Sequence, residues 1–483
     1  MMMAATNDPV DTVDVDTRVD EVLLAATNHD LETLKQLLRK DPALAKVQDA
    51  DTGFSPLHAA IASCEPDEDV EEGEEGDAVA RQALSEDGAL ATVKLLFENG
   101  AIWNELDNAD NTPGCLALRL GLKRVYEAIV DAGVRAELLF SRMDQYAVLG
   151  GDDDAGEDEE EEPAAAAGGD TNDDEIVGFE PSPVEPRHNT PWQPDTTAAA
   201  NGSRSNEELQ GFEPAPNPSY KVGEEDTATV ASTNGTATSA ETTAPLNGEP
   251  KQSEPTLSNP NVNNEDYLKS TLTYSGDRLL DSDNNAVMMD WETEIMKISA
   301  DQLSGPNGGL RTMNVGHGMG IVDRMFLEHN PAMHHIIEAH PAVIQRLKET
   351  GWYEKPNVTV HEGRWQEVLP KLVEQGVVLD GIYYDTYAED YKDLKEFFTE
   401  YVIQLLAPDG KFGFYNGLGA DRQVCYDVYT KVVELDLFDA GLDVEWTDIK
   451  VPDLKGRNEW DGVRYPYWGS IDVYRLPTCK FVG

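Results

Sequence analysis

The chain is 483 residues long, more than one ordinary domain needs, so about three units are expected unless part of it is unstructured. Acidic residues number 92 against 37 basic ones, and the formal net charge of -55 argues against nucleic-acid phosphates and anionic membranes as direct partners. A basic protein suits that charge better. Four cysteines (Cys64, Cys115, Cys425, Cys479) are scattered, with no metal-site spacing and too few for a disulfide framework, so a reducing compartment is expected. The opening MMMAATNDPVDTVDVD lacks the basic and apolar parts of a secretion signal, and no apolar run reaches the roughly 18 residues that span a bilayer. These features read as a soluble intracellular protein.

Residues 17–145 carry a helical pattern that repeats. Ser55-Pro-Leu-His-Ala-Ala60 matches the ankyrin signature T-P-L-H-x-A, a tight turn that starts the first helix of a pair, and a degraded copy begins at Thr112-Pro-Gly-Cys-Leu-Ala117. The copies lie 57 positions apart, and removing the acidic stretch from Cys64 to Asp87 brings them near the ankyrin period of about 33. That stretch reads as a loop inserted between helices. The segment is thus expected to be a short ankyrin-like stack, two full repeats plus partial caps, offering one face to a partner. His58 is read as a residue bonded to loop backbone and not as a metal ligand.

Between residues 146 and 264 the periodicity disappears. Asp152 to Glu162 is almost continuous acid, and Ala228 to Pro245 is mostly Thr, Ala, Gly and Ser, so a disordered linker is expected. Within it Gly178-Phe-Glu-Pro181 recurs as Gly211-Phe-Glu-Pro214.

Short apolar runs then alternate with helical ones: Arg311–Gly316, His334–His340, Asn357–His361, Gly381–Tyr384 and Lys411–Asn416, with amphipathic segments such as Tyr391–Leu406 between them. Alternation of this kind predicts a parallel sheet covered by helices. Gly441–Val451 and Trp468–Leu476 have little helix between them and predict a final hairpin that adds antiparallel strands at one edge.

Chemistry concentrates at the ends of these runs. Met313-Asn-Val-Gly-His-Gly-Met-Gly320 is a glycine-rich turn after a strand, which lets backbone approach a ligand closely. Glu338 ends the next run, where a carboxylate can accept bonds from ribose hydroxyls. Gly363-Arg-Trp-Gln366 follows the third run, and Asp385 ends the fourth within Tyr383-Tyr-Asp-Thr-Tyr387. A carboxylate at the mouth of a buried strand needs a partner or a task.

With these pieces on the page the region from Tyr267 to the C-terminus resembles guanidinoacetate methyltransferase and, more closely, the fungal protein arginine N5-methyltransferase family (type IV, δ-nitrogen). The matching segments are Val287-Met288, Trp291-Glu-Thr-Glu-Ile-Met296, Val315-Gly-His-Gly-Met-Gly-Ile321, Ile337-Glu338, Gly363-Arg-Trp-Gln366 and Tyr384-Asp-Thr-Tyr387, in order and at compatible spacing. The resemblance implies an α/β class I S-adenosylmethionine-dependent methyltransferase over residues 265–483, with a seven-stranded, mostly parallel sheet. It would be preceded by the small all-α ankyrin-like domain and the acidic linker.

The resemblance also implies residue roles. His317, Gly318, Met319, Gly320, Ile321 and Val322 would wrap the methionine part of S-adenosylmethionine. Glu338, with Ala339 and His340 beside it, would hold the ribose, and Trp365 and Gln366 the adenine. Met288 and Met296 would line the pocket and Tyr267 would close over it. Asp385, at the edge of the cosubstrate site, and Glu292 would face the guanidino group as the catalytic pair. His317 stands where guanidinoacetate methyltransferase has a phenylalanine, and Asp290 replaces an arginine just before Trp291-Glu292. The second change removes a positive charge near the acceptor entrance and weighs against a small, carboxylate-bearing substrate.

The expected activity is therefore methylation of the δ nitrogen of arginine in a basic protein, with a ribosomal large-subunit protein implied as substrate. No metal, no direct nucleic-acid partner and no membrane are expected. The chain would act as a monomer in cytoplasm and nucleus. A small-molecule guanidino methyltransferase and an inactive ankyrin scaffold are the competing readings, and intact Glu292, Glu338 and Asp385 argue against the second.

Overall fold

A computed structural model describes residues 13–65, 75–149 and 263–483. The expected disordered linker and its paired Gly-Phe-Glu-Pro motif lie almost wholly outside those residues. The first part is helical: α1 (Val13–Thr27), α2 (Leu31–Lys40), α3 (Pro56–Ala62), α4 (Glu75–Glu98), α5 (Pro113–Arg119) and α6 (Lys123–Leu149). Asp30 caps α2 through the Thr33 amide, and Leu34, Leu37 and Leu38, spaced to share one face, are buried while Arg39 and Lys40 sit in the last turn.

The two repeated motifs make the same local structure. Ser55 caps α3 and Thr112 caps α5, each followed by proline in the first turn, where its missing N–H leaves no gap. His58 pairs with the Ser55 hydroxyl through Nδ1 and reaches the Asn111 carbonyl through Nε2 at 3.1 Å, so it ties one turn to the next. The reading of Cys64–Asp87 as a loop is corrected in part. Helix α4 begins at Glu75, because Ala78, Ala80, Arg81, Gln82, Ala83 and Leu84 supply good helix formers that extend the helix toward its N-terminus.

The second part opens with α7 (Asn264–Lys269) and a small antiparallel sheet of β1 (Thr273–Ser275), β2 (Arg278–Leu280) and β3 (Ala286–Met289). A turn at Asp290–Glu292 leads into α8 (Thr293–Ser304). The main sheet follows as β4 (Arg311–Val315), β5 (Met333–Glu338), β6 (Val358–Glu362), β7 (Leu379–Tyr384), β8 (Leu406–Phe414), β9 (Leu442–Lys450) and β10 (Val473–Phe481). Its helices are α9 (Ile321–Glu328), α10 (Pro341–Glu349), α11 (Trp365–Glu374), α12 (Tyr391–Glu396), α13 (Ile403–Leu405) and α14 (Gln423–Asp439), with a π-helical turn at Phe397–Val402 joining α12 to α13.

Strand order is β6-β5-β4-β7-β8-β10-β9. The pairs β6/β5, β5/β4, β4/β7 and β7/β8 are parallel, and β10 lies antiparallel between β8 and β9. This is the seven-stranded, mostly parallel sheet of a class I methyltransferase. The final hairpin extends one edge as expected, with its second strand as the inner one. Order reverses between β4 and β7, and in open α/β sheets the crevice beyond such a reversal is where ligands bind.

Both faces of the sheet are covered, so its central strands read as buried runs. Ile382 and Tyr384 of β7 pack with α11 to α14, whereas Tyr383 points to the face covered by α8 and α9. The C-terminus of α8 lies directly on β7: a Cβ at Gly381 would stand 2.8 Å from the Leu303 carbonyl oxygen.

The helical part and the sheet part share a core. Val424, Val428 and Val432 of α14 belong to the same buried cluster as Leu57, Leu96 and Val125. Burying each valine stabilises by about 1.5–3 kcal/mol. Tyr126 donates to Asp427 at 2.6 Å, and Glu137 accepts from Trp103 and from Tyr429 at 3.0 Å. Glycine permits the contact, since a Cβ at Gly133 would lie 2.7 Å from Val428 Cγ2 and 3.0 Å from the Trp103 ring. Gly133→Leu should destabilise the protein by about 1–3 kcal/mol through overpacking. Calorimetry should record one unfolding transition moved to lower temperature; two separated transitions would show that the halves unfold independently.

Candidate active site

The glycine turn after β4 is set by backbone geometry. Gly316, Gly318 and Gly320 have φ of 92°, 52° and 70°, a left-handed region in which a side chain is strained. At Gly316 space is also exhausted, because a Cβ would sit 1.9 Å from the Asp385 carbonyl oxygen. Strand ladders run up to this point: Gly316 N–H donates to the Ile337 carbonyl and Asp385 N–H to the Val315 carbonyl, each at 2.9 Å. The ends of β4, β5 and β7 are thereby joined at one place.

Behind the turn lies a buried polar network that sequence reading missed. Asp323, in the first turn of α9, bonds His317 Nδ1 at 2.7 Å, the Asn314 amide at 2.9 Å and His334 Nε2 at 2.9 Å. His334 in turn meets the Thr312 hydroxyl at 2.8 Å. Burial alone would raise the Asp323 pKa, but the pull of His317 and bonds from both histidines outweigh it and hold the carboxyl at about 2. The His317 ring therefore faces Asp323 and Trp352, and it is the residue's backbone that serves the turn.

Glu338 organises the other side. One oxygen accepts from the amides of His317 (2.8 Å) and Gly318 (3.4 Å), and the second accepts from His340 N–H at 2.7 Å. It is only 6% exposed, so these charge-assisted bonds offset much of its desolvation. His340 Nδ1 caps α10 through the Ala342 amide and Nε2 meets the Tyr267 carbonyl at 3.0 Å, which fastens α7 over the crevice. Burial lowers the His340 pKa despite the nearby Glu338, so Nδ1 accepts and Nε2–H donates. The Tyr267 ring stands between His340 and Tyr387, with centroids 4.8 and 4.9 Å away.

The crevice so formed is lined by Tyr267, Met288, Gly318, Glu338, Ala339, Trp365 and Asp385 among the expected residues. Met296, Ile321 and Val322 lie in the apolar cluster beside it, and the Met319 amide bonds the Met288 sulfur at 3.2 Å. Gly320 precedes α9 as its cap. Trp365 is mostly core, with its ring edge-on to Phe397 and Tyr401. Gln366 donates to Glu389 at 3.4 Å, while its buried Oε1 has no partner among the described residues.

A second cavity adjoins the first along Val287, Met288, Asp385, Thr386, Tyr387 and Glu389. Glu292, Tyr384, Tyr415, Leu418 and Tyr467 complete much of its wall, and among the described residues no Lys, Arg or His lines it. Glu292 is 5% exposed. It accepts from Met289 N–H at 3.1 Å and from the Tyr467 hydroxyl at 2.7 Å. Burial pushes its pKa up to about 7 against those bonds. Asp385 is raised well above the usual carboxylate range by burial first and by the charges of Glu292 and Asp323 next, and its buried Oδ2 has no partner among the described residues.

Glu389 is a third carboxylate that sequence reading passed over. It gathers the Trp365 indole N–H at 3.0 Å, the Tyr384 hydroxyl at 2.6 Å and the Gln366 amide. Ala388 before it takes φ of 62°, a strained value for alanine that turns the chain back toward the sheet. Its position four residues after Asp385 was the available signal. Tyr415 and Tyr467 offered none, since both are brought in from distant parts of the chain.

The two cavities suit different ligands. The first combines a glycine cradle, a carboxylate and a buried acceptor at Asn264 that has no partner among the described residues, features that fit the hydroxyls and amine of S-adenosylmethionine. The second presents two buried carboxylates, one of them with an oxygen that has no partner among the described residues, and aromatic walls, which fit a planar cation with paired N–H donors.

Comparison with known proteins agrees with this geometry. Residues 264–438 match the family described as guanidinoacetate N-methyltransferase. "Protein arginine N-methyltransferase 2" of Aspergillus fumigatus is 50% identical over 476 residues, covering 97% of each chain. That of Aspergillus oryzae is 48% identical over 98% of this chain and 99% of its own, and that of Neurospora crassa 42% identical over 96% of each. A solved S-adenosylmethionine-dependent methyltransferase from Mesorhizobium loti, 14% identical, covers 39% of this chain and 98% of its own with a TM-score of 0.28. The chain belongs to the protein arginine N-methyltransferase 2 family and is an S-adenosylmethionine-dependent protein arginine N-methyltransferase.

Proposed function

We propose that this enzyme methylates the δ nitrogen of an arginine in a basic protein, and that the protein belongs to the large ribosomal subunit. The observation that carries the acceptor half of the reading is the pair Glu292 and Asp385, two buried carboxylates on one cavity that meets the cosubstrate crevice at Asp385. The δ position and the ribosomal substrate rest on the family resemblance alone. Among the described residues no Lys, Arg or His lines this cavity to neutralise the carboxylate of a small guanidino acid, which favours arginine within a polypeptide.

S-adenosylmethionine, when bound, supplies a methyl group on a sulfonium leaving group. The protein's own part is to present a nitrogen. A guanidinium is protonated at neutral pH and has no free lone pair, so a base must accept a proton as the new C–N bond forms. Asp385, with one oxygen unpartnered and beside the crevice, takes that proton, and the electron pair of the N–H bond returns to the guanidine. Glu292 grips the opposite N–H edge and fixes which nitrogen faces the crevice. Turning the plane so that the internal nitrogen leads gives δ selectivity.

The two carboxylates must be ionised to take the cation. Glu292, titrating at about 7, loses its proton as pH rises, and Asp385 is raised by burial as well, so kcat/KM for the arginine substrate should climb through pH 7. Initial rates from pH 5.5 to 9 check this, and a flat profile would be contrary to it. Asp385→Asn should lower turnover at least 100-fold while S-adenosylmethionine still raises the melting temperature. Glu338→Ala should instead abolish most of that thermal shift, because it removes the acceptor that holds three amides of the crevice. Equal losses in both assays for both variants would mean the roles are misassigned.

Product identity is tested by labelled methyl transfer into extract from cells lacking the enzyme, followed by fragmentation of the labelled arginine. The expected product carries methyl on the internal nitrogen within a large-subunit ribosomal protein. Methyl on a terminal nitrogen, or transfer to free guanidinoacetate in preference to extract protein, would overturn the proposal.

A further inference from the structure

The geometry points to Tyr467 as a positioning residue of the acceptor site: oriented by Trp291, its hydroxyl donates to Glu292 and keeps that carboxylate facing the cavity as a hydrogen-bond acceptor. The inference rests on the reading of Glu292 as a guanidinium-binding group. Three bonds define the arrangement. The Trp291 indole N–H donates to Tyr467 Oη at 3.0 Å, Tyr467 Oη meets Glu292 Oε1 at 2.7 Å, and Met289 N–H donates to Glu292 Oε2 at 3.1 Å.

Proton counting fixes their direction. An indole N–H can only donate, so the phenol oxygen accepts there and its single proton goes to Glu292. Each carboxylate oxygen thus has one bond from the protein, and its remaining lone pairs are left to the cavity that Glu292 and Tyr467 both line. A guanidinium needs acceptors in that direction. A neutral carboxyl would present an O–H instead.

The relay is rigidly mounted. Tyr467 stacks on Trp291 with centroids 6.1 Å apart and meets the edge of Trp460 at 4.9 Å. It sits in the segment between β9 and β10, which is bonded to the small sheet whose last strand leads into the turn that carries Glu292. Arg464 N–H donates to the Asn284 carbonyl at 2.8 Å, and Arg278 Nη1 to the Asp461 carbonyl at 2.7 Å.

Several groups act on Glu292 besides Tyr467. Asp385 and Glu459 are anionic neighbours that resist its ionisation, and the phenols of Tyr383 and Tyr415 are held neutral by burial. The backbone amide of Met289 and, after it, the hydroxyls of Tyr467 and Tyr415 are therefore the groups that favour the charged form. Removing the Tyr467 hydroxyl leaves the ring packing in place and takes away the stronger of the two phenol contributions.

The test uses the full chain with labelled methyl transfer into the acid-soluble basic-protein fraction of cells lacking the enzyme. Tyr467→Phe should lower kcat/KM about tenfold at pH 7, move the rising limb of the pH profile to higher pH, and recover most of the loss by pH 9. The thermal shift given by S-adenosylmethionine should match that of the unmodified protein. An equal loss at every pH, or no loss, would overturn the inference.

A second pair of variants separates this from the acceptor-site reading. If Tyr467 acts through Glu292, then Tyr467→Phe costs nothing further in a Glu292→Gln background. A further loss there overturns the positioning role alone. Should Glu292→Gln by itself leave the rate unchanged, the acceptor-site reading fails and the inference with it.

Discussion

The approach of β4 to β7 at Gly316 is the constraint on which the site depends. Only a residue without Cβ can stand against the Asp385 carbonyl, and that contact brings the glycine turn and the acceptor carboxylate to one edge of the sheet. The strand ladder reinforces it, since the amide of Asp385 is bonded to Val315, the residue before the glycine. Donor and acceptor cavities share a wall because two parallel strands are in register to their last residue. A side chain at Gly316 would separate both functions at once.

Holding carboxylates in such a place is costly, and the protein deals with its four in three different ways. Glu338 is satisfied by backbone amides, so it is a fixed part of the turn. Glu389 is satisfied by side chains and braces Trp365 against Tyr384. Asp385 keeps a buried oxygen without a partner among the described residues while Glu292 has one bond on each oxygen, and burial raises both pKa values, with the charge of Glu292 adding to the rise at Asp385. A cation entering between them relieves desolvation and repulsion together. On the proposed reading that pair takes the guanidinium, while Glu338 and Glu389 give it a rigid frame.

Much of this was legible in the sequence because the signals were local. A glycine turn after an apolar run, then acids at the ends of the next runs, identify strand ends in a parallel sheet whatever surrounds them, and Gly316, Glu338 and Asp385 were found that way. The His317–Asp323–His334 network was not, because its members lie on a turn, a helix and a strand and meet only once α9 packs on β4 and β5. Tyr467 lies more than 170 residues from Glu292 in the chain and shows no periodic or motif signal. Helix α4 was misread at its start because acidic composition suggested solvated loop, while the alanines and leucine among those acids favour helix.

The helical part is bound to the catalytic part where it can affect the acceptor. Helix α14 buries three valines in the helical core, and the segment just before it, 416–422, supplies Gly417 and Leu418 to the second cavity. Arg422 in that segment reaches back to the Asp110 carbonyl at 3.4 Å, and Gly469, two residues after Tyr467, approaches the Asp421 carbonyl so closely that a Cβ would lie 2.2 Å from it. One short segment therefore touches the helical part, the acceptor cavity and the chain that carries Tyr467. The helical part and the wall of the acceptor cavity are thus packed together through residues 416–422.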